Sequence, residues 1–246
     1  MLQNLRIVRG VLRSLGLYYG SRGHAGAKRT LYRRFIQPGD LVFDIGAHVG
    51  DRIATFRRLG ARVVAVEPQP ALVTTLKMLY GRKRNVTIVP VAVGRSPGTI
   101  AMKINVDNPT VSTVSEAFID AARGAIGWEE QIWEQTVDVP MTTLDALIAA
   151  HGKPSFIKID VEGYEEEVLA GLSQPVKALS FEFTTIQRDM ARACVERCAA
   201  LGYAQFNAAL GESQLLGEWR SAAEMMGWLE EQPDEANSGD VYARLA

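Results

Sequence analysis

Two acidic residues bracket a glycine turn near the start of the chain. Asp44 ends an apolar run, Gly46 and Gly50 follow it, and Glu67 ends the next apolar run. Glycines permit a tight turn and a close approach of backbone N–H groups to a ligand. A carboxylate at the end of the second strand can accept hydrogen bonds from both hydroxyls of a ribose. The spacing therefore predicts a nucleoside site at the carboxyl edge of a parallel sheet.

The acid in the first strand indicates which nucleoside ligand is bound. A carboxylate at Asp44 would repel a pyrophosphate, whereas it suits a ligand with an ammonium and a sulfonium, namely S-adenosylmethionine. The third glycine of the dinucleotide fingerprint is absent, which disfavours an NAD(P)-dependent oxidoreductase. We expect His48 and Pro68 to border the cofactor and the small Ala92 to leave room for adenine. The structural alternative makes Asp44 a turn cap and Glu67 a solvated strand end.

A second charged block follows a later apolar run. Asp160 and Glu162 are placed beyond the end of this strand, where ligands of open α/β sheets bind. Lys158 lies inside the strand and needs an acidic partner, because a buried unpaired charge is costly. Glu182 on the following strand is the expected partner. The four residues either form a structural ion pair or act catalytically on the proton of an acceptor hydroxyl.

The same carboxylates could also bind a metal ion. Mg²⁺ prefers oxygen ligands, which Asp160 with Glu162 or Glu182 would supply. No Asp-Asp pair occurs in this block, so the sequence does not favour a metal site.

Alternating strand and helix patterns position these residues. Near-continuous apolar strands separated by amphipathic helices predict an α/β fold, with a doubly wound Rossmann-like sheet covered on both faces. The segments 203–207 and 240–245 are expected to pair antiparallel at one edge. The predicted strands are 41–45, 62–66, 86–93, 155–160, 177–183, 203–207 and 240–245, and the predicted helices are 51–59, 70–80, 143–150, 164–171 and 188–201.

One long segment departs from this alternation. More than fifty residues, near 99–154, separate the third and fourth core strands. Insertions of this size in compact domains are usually lids or binding loops. We expect this insertion to cover the substrate, with Trp128 and Trp133 stacking on the acceptor.

The rest of the composition sets the class of protein. The chain is 47% apolar with a net charge of −1, which is typical of a globular enzyme domain, and it has no apolar run long enough to span a membrane. Cys194 and Cys198 have no metal-ligand spacing, which favours a reducing cytoplasm.

The first part of the chain is strongly basic. Residues 1–36 form a predicted helical extension of the domain at 37–246, and residues 1–34 carry eight lysines and arginines and no acid. Such a segment can dock an acidic substrate, an anionic membrane surface or nucleic acid, or can simply be a solvated helix face.

Six motifs, taken in order, resemble the FkbM-type methyltransferases, over about Gly39 to Leu245. They are Asp44-Ile45-Gly46-Ala47-His48-Val49-Gly50, Glu67-Pro68, Ala92-Val93-Gly94, Thr143-Leu144-Asp145, Lys158-Ile159-Asp160-Val161-Glu162-Gly163-Tyr164-Glu165 and Phe181-Glu182. The resemblance implies a class I S-adenosylmethionine fold whose seven-stranded sheet ends in an antiparallel strand. It also implies methyl transfer to a hydroxyl of a sugar, glycoconjugate or secondary metabolite.

The resemblance also implies functions for individual residues. By position, Asp44, Gly46, Gly50 and Glu67 would bind the cofactor, and Asp160 would line the methyl-transfer site. His48 departs from the family, which more often has asparagine there. It is either a donor into the pocket or, as we favour, a residue of the approach to the helix whose ring N–H bonds to the backbone. We expect a small-molecule or glycan acceptor and no nucleic-acid partner, with the oligomeric state left open. The remaining alternative is a binding module that keeps the fold without turnover.

Overall fold

The computed structural model describes residues 2–19 and 22–246 of the chain. The helices are α1 (Leu2–Tyr19), α2 (Arg22–Tyr32), α3 (Asp51–Arg58), α4 (Pro70–Tyr80), α5 (Glu116–Ala122), α6 (Leu144–His151), α7 (Glu165–Ala170), α8 (Arg188–Ala200) and α9 (Ala222–Glu230). The strands are β1 (Leu41–Ile45), β2 (Arg62–Val66), β3 (Val86–Val89), β4 (Ala92–Val93), β5 (Gly98–Ile104), β6 (Gln135–Thr142), β7 (Phe156–Ile159), β8 (Ala178–Thr184), β9 (Gln205–Leu210) and β10 (Ser238–Arg244). None of the helices in the described part is both long and apolar enough to cross a membrane.

Seven strands form the central sheet, in the order β3-β2-β1-β7-β8-β10-β9. The first five are parallel, and β10 runs antiparallel to both β8 and β9. The predicted doubly wound sheet with a final antiparallel strand is therefore confirmed. Strands β1, β2 and β7 are mostly apolar and almost entirely buried because they lie in the middle of the sheet, where helices cover both faces.

The order of the strands reverses between β1 and β7. After β1 the chain builds β2 and β3 on one side, and it returns through β7 to build the other side. A crevice opens at such a switch point, beyond the carboxyl ends of the strands. Gly46 makes the crevice tight: its φ is +81°, and a Cβ there would lie 1.7 Å from the Asp160 carbonyl oxygen. Only glycine fits this position.

The insertion forms a small second sheet above this edge. Its strands are ordered β4-β6-β5, with a 3₁₀ turn at Pro109–Val111 and α5 following β5. The Thr113 hydroxyl donates to the Glu162 carbonyl oxygen at 2.6 Å, which ties the insertion to the turn after β7. The insertion therefore packs over the crevice. The helix near its end, α6, returns to the main layer with Thr143 as N-cap.

The predicted extension at residues 1–36 packs onto the domain. Met1, Gly20 and Ser21 lie outside the described residues. Leu31, Tyr32 and Phe35 share one buried cluster with the central strand residue Phe156, on which the Phe35 ring stacks at 5.3 Å. Val11 of α1 packs in another cluster, with Val49 and Leu72 among its members. Both N-terminal helices thus contribute to the core.

Candidate active site

A cavity of about 800 Å³ lies at the carboxyl ends of β1, β2 and β7, beneath the insertion. Eight of the predicted site residues line it, namely Gly46, His48, Glu67, Pro68, Ala92, Asp160, Glu162 and Glu182. Five others lie outside its lining, namely Asp44, Gly50, Lys158, Trp128 and Trp133. The two motif blocks of the sequence therefore meet in one space, although not every residue in them faces it.

Glu67 is held at the end of β2 by backbone donors. Its Oε1 accepts from the N–H of Gln69 and its Oε2 from the N–H of His48, both at 2.8 Å. Burial raises the pKa of the Glu67 carboxyl to about 7, although the two N–H groups oppose the shift. Each oxygen keeps a lone pair that can accept from a hydroxyl in the cavity.

His48 is a neutral wall of the cavity. Burial lowers the pKa of its ring to about 4. The ring lies edge-on to Tyr18, with the centroids 5.3 Å apart, and its Nε2 is 3.4 Å from the Thr110 hydroxyl. Its φ is +49°, an unusual conformation for a residue with a side chain. The uncharged ring adds no repulsion toward a positively charged ligand.

Asp44 and Gly50 flank the glycine turn in the sequence and do not line the cavity. Asp44 is fully buried, and neither carboxylate oxygen has a hydrogen-bond partner among the described residues. Burial raises the pKa of this carboxyl to about 7, while nearby Arg52 opposes the shift. A Cβ at Gly50 would lie 2.6 Å from the Tyr80 ring and 2.8 Å from Leu76, so this glycine lets α3 pack on α4.

Lys158 pairs with a different acid from the one expected. Its Nζ lies 2.6 Å from Asp240 and 3.4 Å from Asp160, and the predicted pair with Glu182 is wrong. The neighbour of Lys158 on β8 is Ser180, whose small side chain lets the lysine reach across to β10. Burial would lower the pKa of the Lys158 ammonium, but Asp160 and Asp240 raise it above the ordinary value.

Asp160 is an ionised carboxylate with two cationic neighbours. Arg52 approaches its Oδ2 at 2.9 Å, in addition to the contact with Lys158. Burial would raise the pKa of Asp160, but Lys158 and Arg52 hold it below its usual range. A carboxylate held this way is a weak proton acceptor. This arrangement favours a role for Asp160 in holding the two cations over the predicted role in taking up the acceptor proton, which stays a prediction.

Glu162 and Glu182 are the protonatable members of the cluster. With Asp160 they bring carboxylate oxygens within 4.8 Å of one another. Burial raises the pKa of both glutamates, and the charge of Asp160 raises it further. Glu162 has φ +58°, and Glu165 stabilises its turn by accepting from the N–H groups of Val161 and Gly163. The buried Oε2 of Glu182 has no hydrogen-bond partner among the described residues.

The two tryptophans hold the insertion together and do not border the cavity. The Trp128 ring packs edge-on against Phe118 at 5.1 Å, and its Nε1 donates to Asn237. The Trp133 Nε1 donates to the Val111 carbonyl oxygen at 2.7 Å. The geometry thus does not place either ring where it could stack on an acceptor in this cavity. The insertion residues that line the cavity are Met102, Thr110, Ser112 and Val114.

Sequence reasoning missed several polar residues of the lining, among them Tyr18, Arg52 and Glu212. Arg52 had a detectable signal, because a cation in the first turn of a helix opposes the helix dipole and needs an acidic partner. Tyr18 ends α1, far from either motif, and Glu212 lies in the loop after β9. Neither position has a pattern that marks it before the fold is known.

Comparisons with known proteins agree with this arrangement. The sequence pattern of the Methyltransferase FkbM domain matches residues 44–233. The hexuronic acid methyltransferase AglP of Haloferax volcanii is 26% identical over 167 residues, which are 67% of this chain and 63% of that protein. The chain thus matches less than two thirds of the length of this relative.

A solved structure shares the fold. The O-methyltransferase from Bacillus cereus, determined in complex with SAH, superposes with a TM-score of 0.50 at 11% identity, over 96% of this chain and 90% of that one. The motifs at the sheet edge and the family match across most of the chain lead to one conclusion: the chain belongs to the FkbM methyltransferase family.

Proposed function

We propose that this protein is an S-adenosylmethionine-dependent O-methyltransferase acting on a hydroxyl of a sugar, glycoconjugate or secondary metabolite. The observation that carries the proposal is one cavity that combines a backbone-held Glu67 with the carboxyl cluster of Asp160, Glu162 and Glu182. The first suits a ribose and the second suits the handling of a hydroxyl proton.

The residues present fit the cofactor. The cavity lies at the carboxyl edge of the sheet, where open α/β folds bind their ligands, and both polar and apolar residues line it. The carboxyl groups along the walls, which belong to Glu67, Asp160, Glu162 and Glu182, favour a ligand with positive charge. Glu67 would hold the ribose hydroxyls, and Gly46 lets the backbone approach the ligand. Pro68 and Ala92 are the apolar surfaces in this lining that would suit the adenine ring.

When bound, the cofactor supplies a methyl group that its sulfonium charge already activates. The chain's own contribution is to orient the acceptor hydroxyl and to remove its proton. Glu182 is our candidate for the base, because its Oε2 has no partner among the described residues and because burial and the charge of Asp160 raise the pKa of its carboxyl, which makes the carboxylate a stronger proton acceptor. Glu162 lies in the same cluster and can share that proton. Arg52 and Lys158 keep Asp160 ionised and the cluster in place.

The relative AglP suggests which acceptors to test first. It is named as a hexuronic acid methyltransferase, so sugars that carry a carboxylate are the first candidates. Arg52 is the cationic side chain in the lining of this cavity, and its Nε has no hydrogen-bond partner among the described residues. A guanidinium recognises carboxylates by paired hydrogen bonds. Its existing contact with Asp160 leaves only part of that capacity for an acceptor.

The decisive test is methyl transfer from isotope-labelled S-adenosylmethionine. Glucuronides and the matching glucosides serve as paired acceptors, and mass spectrometry locates the added methyl on oxygen. A labelled ether product supports the proposal, and a preference for glucuronides that Arg52→Gln removes supports the carboxylate-bearing class. Labelling on nitrogen or carbon would contradict O-methylation.

Ligand-binding measurements distinguish this proposal from two alternatives, an NAD(P)-dependent oxidoreductase and a binding module without turnover. Calorimetric titration should detect S-adenosylmethionine but not NAD(P), because the glycine turn lacks the dinucleotide pattern. Tight cofactor binding without labelling of any component in a cell extract would instead favour a binding module without turnover.

A further inference from the structure

Helix α1 is anchored firmly by one of its faces. Val11 and Ser14 are buried on that face. A Cβ at Gly10 would fall 2.6 Å from the Val106 carbonyl oxygen, so the helix backbone lies directly against the end of β5. Close packing of this kind fixes which side of the helix faces outward.

The outward face is apolar as well. Leu5, Val8 and Leu12 are 62%, 54% and 60% exposed. At 3.6 residues per turn these three positions fall within about 60° of arc, so they form one stripe along the helix. Leu17 and Tyr19 are also exposed near the end of α1. Scattered exposed leucines are ordinary, but an aligned row on one helix marks a contact surface.

Cations flank this stripe. Arg9 and Arg13 are exposed beside it and form no ion pair within residues 2–19 and 22–246. Arg6, on the same side of the helix, pairs with Asp107 and Glu134. The two acids of this neighbourhood therefore already have a cation. The free arginines give the apolar face a positive border.

The charge extends beyond α1. None of the 28 acids of the chain lies in residues 1–39 or 68–106, which hold eight and six lysines and arginines. The two segments are in contact, because α1 packs beside α4 and the Tyr19 hydroxyl lies 2.5 Å from that of Tyr80. Lys77 and the residues at 82–84 add exposed cations next to the helix.

We propose that α1 docks this protein on an anionic lipid surface. Leu5, Val8 and Leu12 insert at the boundary between headgroups and acyl chains, and Arg9 and Arg13 contact lipid phosphates. A second copy of this chain is a poor occupant, because it would bring two basic helices together. Nucleic acid would use the arginines but would leave the apolar stripe without a role. The proposal is independent of which acceptor is methylated.

The test is co-sedimentation of the full chain with two kinds of vesicle. One is pure phosphatidylcholine, and the other contains about one-third phosphatidylglycerol. We expect binding to the anionic vesicles only. Arg9→Gln/Arg13→Gln should weaken it by about 25-fold at low salt, since each cation contributes about fivefold. Leu5→Ser/Val8→Ser/Leu12→Ser should weaken it by at least tenfold, an order-of-magnitude expectation from lost apolar burial.

Matched controls change equally exposed residues elsewhere. Ile126→Ser/Ile132→Ser and Arg58→Gln/Arg62→Gln should bind the anionic vesicles as the unmodified protein does. Equal binding to both vesicles, no binding, or no effect of the α1 variants would overturn the proposal. So would a concentration-dependent dimer that the triple serine variant abolishes while vesicle binding is absent.

A labelling experiment covers the case in which the α1 variants do not fold. A Leu12→Cys variant with an environment-sensitive dye should shift to the blue on anionic vesicles, because its probe enters the lipid. The native Cys194 and Cys198 are buried and should not react. The matched probe at Leu215, which is 75% exposed, should not shift. A Leu12 probe that stays in water when the protein sediments with vesicles would refute docking through this face.

Discussion

The two ends of the cavity keep buried carboxylates in opposite ways. At the β2 end, neither Glu67 nor Asp44 forms an ion pair within the described part of the chain, so burial raises the pKa of both carboxyls to about 7, although two backbone N–H groups oppose the shift at Glu67. At the β7 end, Asp160 contacts Arg52 and Lys158, and the pKa of its carboxyl falls below the usual range. The charge of the ionised carboxylates at the first end has no contacting cation in the described residues, whereas Arg52 and Lys158 balance the charge at the second end.

This difference predicts that the acids at one end affect ligand binding and the acids at the other end affect stability. An acid whose charge is unfavourable in the free protein contributes to ligand binding, because a cationic ligand relieves the cost. An acid that the fold already pairs contributes to stability and holds its neighbours in position. Variants at the two ends should therefore change different measurable quantities.

The largest effect is expected for Lys158→Met. Removing this ammonium leaves Asp160 and Asp240 without their shared buried partner, and breaking such a pair costs about 3–5 kcal/mol. Denaturant unfolding measures the loss of the free energy of unfolding. Lys153→Met, at an exposed position, is the control and should be neutral. A loss below about 1 kcal/mol would mean that the pair is not what stabilises this end.

The next effect concerns turnover. Glu182→Gln should lower kcat by about 10²–10⁴-fold, the contribution of a positioned base, with little change in cofactor Kd. Glu166→Gln on the exposed side of α7 is the matched control. Asp160→Asn should lower both kcat, by about 10²-fold, and the melting temperature, because Arg52 and Lys158 then lack their shared acid. Normal turnover in the Glu182 variant would show that another group is the base.

A smaller effect is expected at the other end. Glu67→Gln keeps the size of the side chain and removes its charge, so S-adenosylmethionine binding should weaken by about 1.5–3 kcal/mol. Isothermal titration measures this change, and Glu218→Gln at an exposed position serves as control. Stability should fall by about 1–3 kcal/mol, because the amide oxygen accepts only one of the two backbone N–H groups and leaves the other without an acceptor. Unchanged affinity would exclude Glu67 from the ribose contact.

The pH dependence of cofactor affinity tests the same end. Glu67 and Asp44 have a pKa of about 7, raised by burial, so they gain protons as the pH falls through 7. A cationic ligand prefers the ionised forms, and affinity should therefore fall by up to about tenfold per pH unit below 7 for each group. Conversely, these groups make the free protein less stable as pH rises from about 4.5 to 7. Titrations of the native protein and Glu67→Gln should differ in slope, and parallel curves would contradict the assignment.

The smallest effect is expected for metal removal. Asp160, Glu162 and Glu182 are close enough to share an ion, but Asp160 already has two cationic neighbours. We therefore expect EDTA to leave kcat unchanged within about twofold, which corresponds to an activation free energy change of only about 0.4 kcal/mol. A loss of activity that Mg²⁺ restores would instead assign the three carboxylates to a metal.

Much of the sheet could be predicted from the sequence because its signals are local. Strands β1 and β2 occur at the predicted residues, since each is a short apolar run bounded by turn residues. The antiparallel pairing of the last two strands also follows, although β10 lies inside β9 and not at the edge. Glu67 and Asp160 were found because ligands bind beyond strand ends in this fold.

By itself the sequence determined the strand and helix order, the glycine turn and the acids that end the strands. Only the tertiary structure decided the partners of those acids. Lys158 reaches Asp240 because Ser180 leaves space between two strands that are distant in the chain. Tyr18 reaches the cavity because α1 folds back over the insertion. Local patterns specify which residues end an element, whereas contacts between distant residues depend on how the elements pack, and no short-range spacing records that packing.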